Sequence, residues 1–285
     1  MRVCVIGLGI IGSVWARHLA SDGHQVRSWN RTPQPAAPGF TPDLRTAVAG
    51  AELVMIVVAD PPAVAGVLET IIPVLPQGAV VAQHSTVGVD DTRAYAKLVA
   101  GAGGRFIDMP FTGSKLAAEA RSQVFFIGDD AGVLDAVAPI YRKLAKTLQP
   151  IGGIGAAMAI KLCFNVLIAN LNQAYSESYA LAMKSGIAAD TFFAALSQTV
   201  SQSPLVELKK PKYISGDYSP QFSIKHMHKD LRLALGLAAA AGLELPETAT
   251  VERAYAEAAR RGMGDLDFSA LLEIVRSGSR PHLFP

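Results

Sequence analysis

The sequence predicts an α/β protein in which a doubly wound parallel sheet is followed by an all-helical domain. Two observations support this prediction. In the first half of the 285 residues, short β-rich segments alternate with segments of helical periodicity, which is typical of a parallel sheet with helices on both faces. After Gly152-Gly153 almost every segment has helical periodicity. We therefore predict two domains, residues 1–153 and 154–285.

Seven segments of the first domain are predicted as strands. The third of them, LVMIVV, is apolar throughout, as expected of a parallel strand that is covered on both faces. Helices are predicted over residues 10–21, 90–102 and 131–144. The predicted strands are residues 2–6, 25–29, 53–58, 79–82, 105–108, 123–127 and 147–150.

The second domain is predicted to begin with one long helix over residues 156–185, which Gly186 ends. This helix is apolar on more than one face. We therefore expect a second copy of the chain to cover part of it, which gives a homodimer. Further helices are predicted over residues 190–197, 205–209, 225–241, 247–261 and 268–276.

Composition and charge narrow the function classes. The formal net charge is +2, from 26 basic and 24 acidic residues, and this balance argues against nucleic acid or a membrane surface as a partner. Residues 154–169 are too few and too polar to span a bilayer. Cys4 and Cys163 each lie in an apolar run, so we expect both thiols to be buried and to form no disulfide framework. No spacing of His, Cys and Asp predicts a metal site. We expect a cytoplasmic protein.

A GxGxxG motif lies between the first predicted strand and the first predicted helix, which is the context that gives this motif its meaning. Gly7 permits the tight turn, Gly9 lets the backbone approach a pyrophosphate, and Gly12 lets the helix pack closely on the strand. The sequence therefore predicts a Rossmann-type dinucleotide site. The residues assigned to it are Gly7, Leu8, Gly9, Ile10, Ile11 and Gly12.

The end of the second predicted strand indicates which cofactor binds. An NAD site usually has Asp or Glu there, to bind the ribose hydroxyls, but this chain has Asn30-Arg31-Thr32. Arg31 can pair with a 2′-phosphate through charge-assisted hydrogen bonds, and Asn30 and Thr32 can add hydrogen bonds. These residues predict NADP(H) rather than NAD(H). A solvent-facing arginine in a turn is the alternative.

Two further loops follow strand ends, where ligands bind in this fold. The first of these loops is predicted over residues 59–62, and Val58, Ala59 and Ala63, in and around it, are assigned to the cofactor. Thr86, in the second loop, is the predicted neighbour of the nicotinamide. Alternatively, Ser85 or Thr86 caps a helix.

Lys161, in an apolar helical stretch, is the candidate for the chemistry. A partly desolvated lysine loses some of its preference for the charged form. Hydride transfer to a carbonyl group leaves negative charge on its oxygen, which then needs a proton donor. Lys161 can be that donor, and Asn165, four residues later, shares its helix face. A lysine that reaches solvent is the alternative.

Several segments, in order, resemble the β-hydroxyacid dehydrogenase family over essentially the whole chain. Residues 113–119, of the form GSKxxAE, are similar to the glyoxylate and succinic semialdehyde reductases of that family. The family usually has Ser at the position of Thr112 and a smaller Val at that of Phe111. The matching segments are the glycine-rich start, Ser85-Thr86-Val87, DMPFTGS at residues 108–114, Gly155 with Lys161 and Asn165, and Lys229-Asp230.

This resemblance implies NADPH-dependent reduction of a small aldehyde-acid, with Lys161 as the catalytic residue and Asn165 as its partner. The turn Thr112-Gly113-Ser114 is expected to bind the substrate carboxylate, because glycine lets backbone N–H groups approach an anion closely. Lys229 is assigned to both the substrate and the cofactor.

Three other functions remain open. One is oxidation of a 3-hydroxy acid such as hydroxyisobutyrate with NAD(P), against which Arg31 and the GSKxxAE segment argue. Another is an imine reductase, against which Lys161 argues. The last is an NADP-binding scaffold without activity, since a fold alone does not imply a function.

Overall fold

The computed structural model describes residues 1–277. The chain forms two compact units, of which the first is Met1–Leu162 and the second begins at Cys163. The division therefore lies inside the long helix, whereas the predicted boundary at residue 153 lies before it and stays a prediction. No helix of the described part is long and apolar enough to cross a membrane.

The first unit contains an eight-stranded sheet. Its strands are β1 (Arg2–Ile6), β2 (Gln25–Trp29), β3 (Leu53–Ile56), β4 (Val80–Gln83), β5 (Arg105–Asp108), β6 (Phe111–Thr112), β7 (Gln123–Gly128) and β8 (Ala145–Gly152). Their order is β2-β1-β3-β4-β5-β7-β6, with β8 beside β7. The first five strands run parallel to one another, and β7 runs antiparallel to β5 and β6.

This order reverses at β1, so that the chain leaves the carboxyl ends of β1 and β3 in opposite directions. Ligands bind in such a crevice in open α/β sheets. Both β3 and β4 are buried along their whole length, as predicted for parallel strands that helices cover on both faces. The predicted fold class is confirmed.

Helices flank this sheet and then make up almost all of the second unit. The helices before the long one are α1 (Gly12–Ser21), α2 (Leu44–Val48), α3 (Pro61–Ile71), α4 (Val89–Gly101), α5 (Lys115–Glu119) and α6 (Leu134–Tyr141). The long helix and those after it are α7 (Ala156–Lys184), α8 (Ala189–Leu196), α9 (Pro204–Ser215), α10 (Ile224–Ala240), α11 (Pro246–Ala258) and α12 (Leu271–Arg276).

Two proline-containing segments differ from the prediction. Residues 59–62 were expected to form a loop, but Asp60 caps α3 and Pro61 begins it, because proline is well tolerated in the first turn of a helix. The predicted helix 205–209 continues to Ser215 through Pro211. That proline removes one backbone hydrogen bond, while burial of Val206 and Tyr213 holds the helix on both sides of it.

Candidate active site

The glycine-rich turn has room for a ligand at one glycine and none at the other two. A Cβ atom at Gly7 would lie 2.2 Å from the Val57 carbonyl oxygen, and one at Gly12 would lie 1.9 Å from the Gly7 carbonyl oxygen. Gly7 also has a φ of +100°, which favours glycine. No atom lies within 4 Å of a Cβ built on Gly9. The turn therefore leaves space for a pyrophosphate at Gly9 and fits a dinucleotide.

The polar side chains that follow β2 hold this turn in place. Asn30 Oδ1 accepts a hydrogen bond from Leu8 N at 3.0 Å, and Gln34 Nε2 donates to Leu8 O at 2.9 Å. Asn30 Nδ2 donates to Thr32 O. Asn30 thus acts on the cofactor site through the turn, while its predicted contact with a 2′-phosphate stays a prediction. Gln34 was missed, because nothing in its spacing links it to Leu8.

Arg31 is not held by hydrogen bonds of the kind that hold the side chain of Asn30. Its side chain is exposed and forms no hydrogen bond or ion pair with any other residue in the described range 1–277. A guanidinium group at the carboxyl end of β2, without a carboxylate partner, is available to an anion.

The two segments that follow β3 and β4 are joined by a hydrogen bond, and the first of them is held by a helix cap. Ser85 Oγ accepts from Val58 N at 2.8 Å, and Asp60 Oδ1 accepts from Ala63 N at 2.9 Å. The helix α4 has Gly88 at its N-cap, so neither Ser85 nor Thr86 caps it. That alternative was wrong. Ser85 fixes the first loop, and half-buried Thr86 stays assigned to the cofactor as a prediction.

The predicted carboxylate-binding turn joins a short strand to a short helix. Thr112 pairs with Val124 across β6 and β7, a strand pair that the sequence did not reveal. Gly113 has a φ of +120°, and a Cβ atom there would lie 2.9 Å from the Ala117 Cβ. Ser114 precedes α5. A glycine is therefore required in the middle of this turn.

His84 is a buried residue whose two ring nitrogens both have hydrogen-bond partners, so it has a structural role. It is 2% exposed, and its Nδ1 and Nε2 atoms lie 2.7 Å from Met109 O and 2.8 Å from Tyr141 Oη. A carbonyl oxygen only accepts, so Nδ1 carries the proton and Nε2 accepts from the tyrosine. Burial lowers the pKa of His84 to about 4, and the ring is therefore neutral near pH 7.

A buried carboxyl group anchors the start of the helix that carries Lys161. Asp108, the last residue of β5, accepts hydrogen bonds through Oδ2 from Gly155 N and Met158 N, both at 3.1 Å. Its Oδ1 is buried and has no hydrogen-bond partner among the described residues. Burial raises the pKa of Asp108 to about 7, although both N–H donors lower it. Asp108 thus fixes the first turn of α7, one turn before half-buried Lys161.

In the second unit, three polar residues form a chain of contacts. Asn165 is 2% exposed and Asp230 is 1% exposed. Asn165 Nδ2 donates to Asp230 Oδ2 at 2.5 Å, and Lys229 Nζ lies 2.7 Å from Asp230 Oδ1. Asp230 therefore holds the side chains of Asn165 and Lys229, both of which are predicted site residues. No role was predicted for Asp230 itself, because it stood out only as part of the Lys229-Asp230 pair.

The strand order and a glycine turn that fits a dinucleotide define the first unit as a domain that binds a nicotinamide cofactor. The family model described as the NAD binding domain of 6-phosphogluconate dehydrogenase matches residues 2–161. The model described as NAD-binding of NADP-dependent 3-hydroxyisobutyrate dehydrogenase matches residues 155–275. The chain belongs to the β-hydroxyacid dehydrogenase family and is an NAD(P)-dependent oxidoreductase that acts on CH–OH groups.

Named relatives agree with this assignment over nearly the whole chain. Glyoxylate/succinic semialdehyde reductase 1 of Arabidopsis thaliana is 30% identical, over 97% of this chain and 99% of the relative. The 2-hydroxy-3-oxopropionate reductase of Escherichia coli K12 is 29% identical, over 96% and 97%. The structure of a Mycobacterium tuberculosis 3-hydroxyisobutyrate dehydrogenase with L-serine has a TM-score of 0.87 at 27% identity, covering 96% of this chain and 99% of that one.

Proposed function

We propose that this enzyme reduces the aldehyde group of a small aldehyde-acid, glyoxylate or succinic semialdehyde, with NADPH. The observation that carries the proposal is the pair of Lys161 and Asn165, one turn apart on α7, whose first turn Asp108 anchors. The similarity to the Arabidopsis reductase, which is named for these two substrates, supports the choice of substrate.

Different residues donate the proton, orient the substrate oxygen and bind the substrate carboxylate in this reaction. NADPH, when bound, supplies the hydride. The Lys161 ammonium group donates a hydrogen bond to the aldehyde oxygen and gives that oxygen a proton as the C–O double bond becomes single. Asn165, held by Asp230, orients the substrate oxygen, and the backbone of Thr112, Gly113 and Ser114 binds the carboxylate.

The test is the rate of NADPH oxidation by the purified enzyme at neutral pH, measured separately with glyoxylate and with succinic semialdehyde. A second assay measures the reduction of NADP⁺ or NAD⁺ with 3-hydroxyisobutyrate as the substrate. A third assay measures the oxidation of NADPH with a cyclic imine as the substrate. Faster turnover of an aldehyde-acid than of the other two substrates supports the proposal. Preference for 3-hydroxyisobutyrate or the imine would replace it with the corresponding alternative. Tight NADPH binding without turnover of any substrate would favour the scaffold.

We propose NADPH rather than NADH because Arg31 is exposed and unpaired within the described residues. We expect Arg31→Glu to lower kcat/KM with NADPH about a hundredfold, since a charge-assisted pair with the 2′-phosphate is replaced by repulsion. The value with NADH should change little. Arg105→Glu is the matched control, because Arg105 begins β5 and so lies at the amino end of the parallel strands, whereas Arg31 follows the carboxyl end of β2. An equal loss with both cofactors would contradict this role.

We also propose that the enzyme is a homodimer that covers part of α7. Leu167 and Leu181 on this helix are 55% and 69% exposed, and burial of leucine side chains stabilises association. We expect sedimentation to show a dimer for the wild type and a monomer for Leu167→Asp. Leu98→Asp, at a similarly exposed site on α4 (53%), should remain dimeric. A monomeric wild type would overturn the proposal.

A further inference from the structure

Gln123 connects two parts of the first unit that are far apart in sequence. It begins β7 and is 0% exposed. Its Oε1 accepts a hydrogen bond from Trp15 Nε1 at 2.7 Å, and its Nε2 donates to Gly113 O at 3.4 Å. The indole N–H group only donates, so the orientation of the Gln123 amide is determined. The amide oxygen and the amide nitrogen of Gln123 each have a hydrogen-bond partner.

The two partners belong to different parts of the proposed site. Trp15 lies on α1, the helix that the glycine-rich turn opens. Gly113 is the middle residue of the turn assigned to the substrate carboxylate. A second contact, His18 Nε2 to Ala118 O at 3.2 Å, joins α1 to α5. Gln123 is therefore one of the polar links between the dinucleotide helix and the segment around the substrate turn.

The indole ring of Trp15, which donates the hydrogen bond to Gln123, is held rigidly by its aromatic neighbours. It is 0% exposed, and its ring meets those of His84, Phe111 and Phe125 at centroid distances of 4.9, 5.1 and 5.4 Å. Aromatic rings packed at such distances from three sides have little room to move. A group that hydrogen-bonds to this indole is held in position.

We propose that Gln123 is a positioning residue that sets the direction of the Gly113–Ser114 peptide in the substrate turn. In a trans peptide, the C=O and N–H groups point in opposite directions, and none of the peptide bonds in residues 1–277 is cis. Because the Gly113 carbonyl is directed at Gln123, the Ser114 N–H points away from it. This inference rests on the proposed function, in which that N–H group faces the substrate carboxylate.

The decisive variant is Gln123→Met, which keeps the size and burial of the side chain and removes both hydrogen bonds. We expect the KM for the aldehyde-acid to rise about tenfold, a loss typical of one oriented hydrogen bond. The kcat and the KM for NADPH should stay within about twofold. Trp15→Phe, which removes the indole N–H and keeps an aromatic ring, should also raise the aldehyde-acid KM. A joint fall of kcat, NADPH affinity and Tm, or an unchanged aldehyde-acid KM, would overturn the proposal.

A second measurement does not depend on turnover. The chain has two tryptophans, and Trp29 Nε1 donates to Pro42 O, outside this link. In the ¹⁵N-labelled enzyme with NADP⁺, oxalate should shift the Trp15 indole N–H signal, while the Trp29 signal serves as the internal control. The shift should be lost in Gln123→Met. A Trp15 indole signal whose chemical shift does not change when oxalate is added to the wild type would overturn the inference. If instead the proposed function fails, the wild type does not turn over aldehyde-acids, yet this signal still reports whether a carboxylate reaches the turn.

Discussion

Replacing Lys161 with alanine should lower the kcat for aldehyde-acid reduction by about a hundredfold to ten-thousandfold, the usual contribution of a positioned proton donor. Affinity for NADPH should be unchanged, because the proposed role of Lys161 concerns the oxygen of the aldehyde. Lys161 is half-buried on α7, so truncation removes the ammonium group without disturbing the fold. The measurement is steady-state kinetics together with NADPH titration by fluorescence.

Two companion variants make this result specific. Lys161→Arg keeps a positive charge but has a guanidinium group that does not release its proton, so its kcat should fall nearly as far as in Lys161→Ala. Lys184→Ala changes an exposed lysine at the other end of the same helix and should leave kcat unaltered. Equal turnover in Lys161→Ala and the wild type would remove Lys161 from the mechanism.

The parts of the fold that sequence predicted are those that local pattern determines. The buried strand β3 is apolar at every position, which is typical of a parallel strand with both faces covered. The glycine-rich turn requires glycine at Gly7 and Gly12, because a Cβ atom at either position would collide with a carbonyl oxygen. In both cases, the residues that must be of one type lie within a few positions of one another in the chain, so that a short motif predicts them.

The contacts that sequence could not predict join residues that are distant in the chain. Asp108 reaches Gly155 across 47 residues and Trp15 reaches Gln123 across 108. No periodicity encodes such pairs, because they depend on which strands become neighbours in the sheet. The two-residue strand β6 was missed for the same reason, since it exists only through its pairing with β7.

The burial of Cys163 was also misjudged, because its apolar neighbours suggested a buried thiol. Cys163 is exposed on α7, and so are Leu167 and Leu181 further along. An apolar run in a long helix does not distinguish the face that packs within the chain from a face that a second copy covers. The proposed homodimer supplies a physical reason for an apolar exposed face, and sedimentation of Leu167→Asp tests it.

The other large effect concerns Asp108, whose replacement by asparagine should change how stability depends on pH. Burial raises the pKa of Asp108 to about 7 from its ordinary value of 3.8, so the folded protein holds this proton more tightly than the unfolded chain. The stabilisation is complete below about pH 4 and is lost as pH rises to about 7. The free energy of unfolding of the wild type should therefore fall, relative to Asp108→Asn, by up to about 1.4 kcal/mol per pH unit in this window.

Asparagine is the informative replacement because its carbonyl oxygen still accepts from the N–H groups of Gly155 and Met158 and does not titrate. Denaturant unfolding at several pH values between 4 and 8 gives the two curves. Asp43→Asn is the matched control: Asp43 caps α2 in solvent, and its hydrogen bonds from Thr46 lower its pKa. Its stabilisation is present above its unfolded pKa and lost only as pH falls below it, so the Asp43→Asn difference should be constant from pH 5 to 8. Parallel pH curves for the wild type and Asp108→Asn would show that Asp108 stays ionised at the start of α7, held so by the two backbone N–H groups.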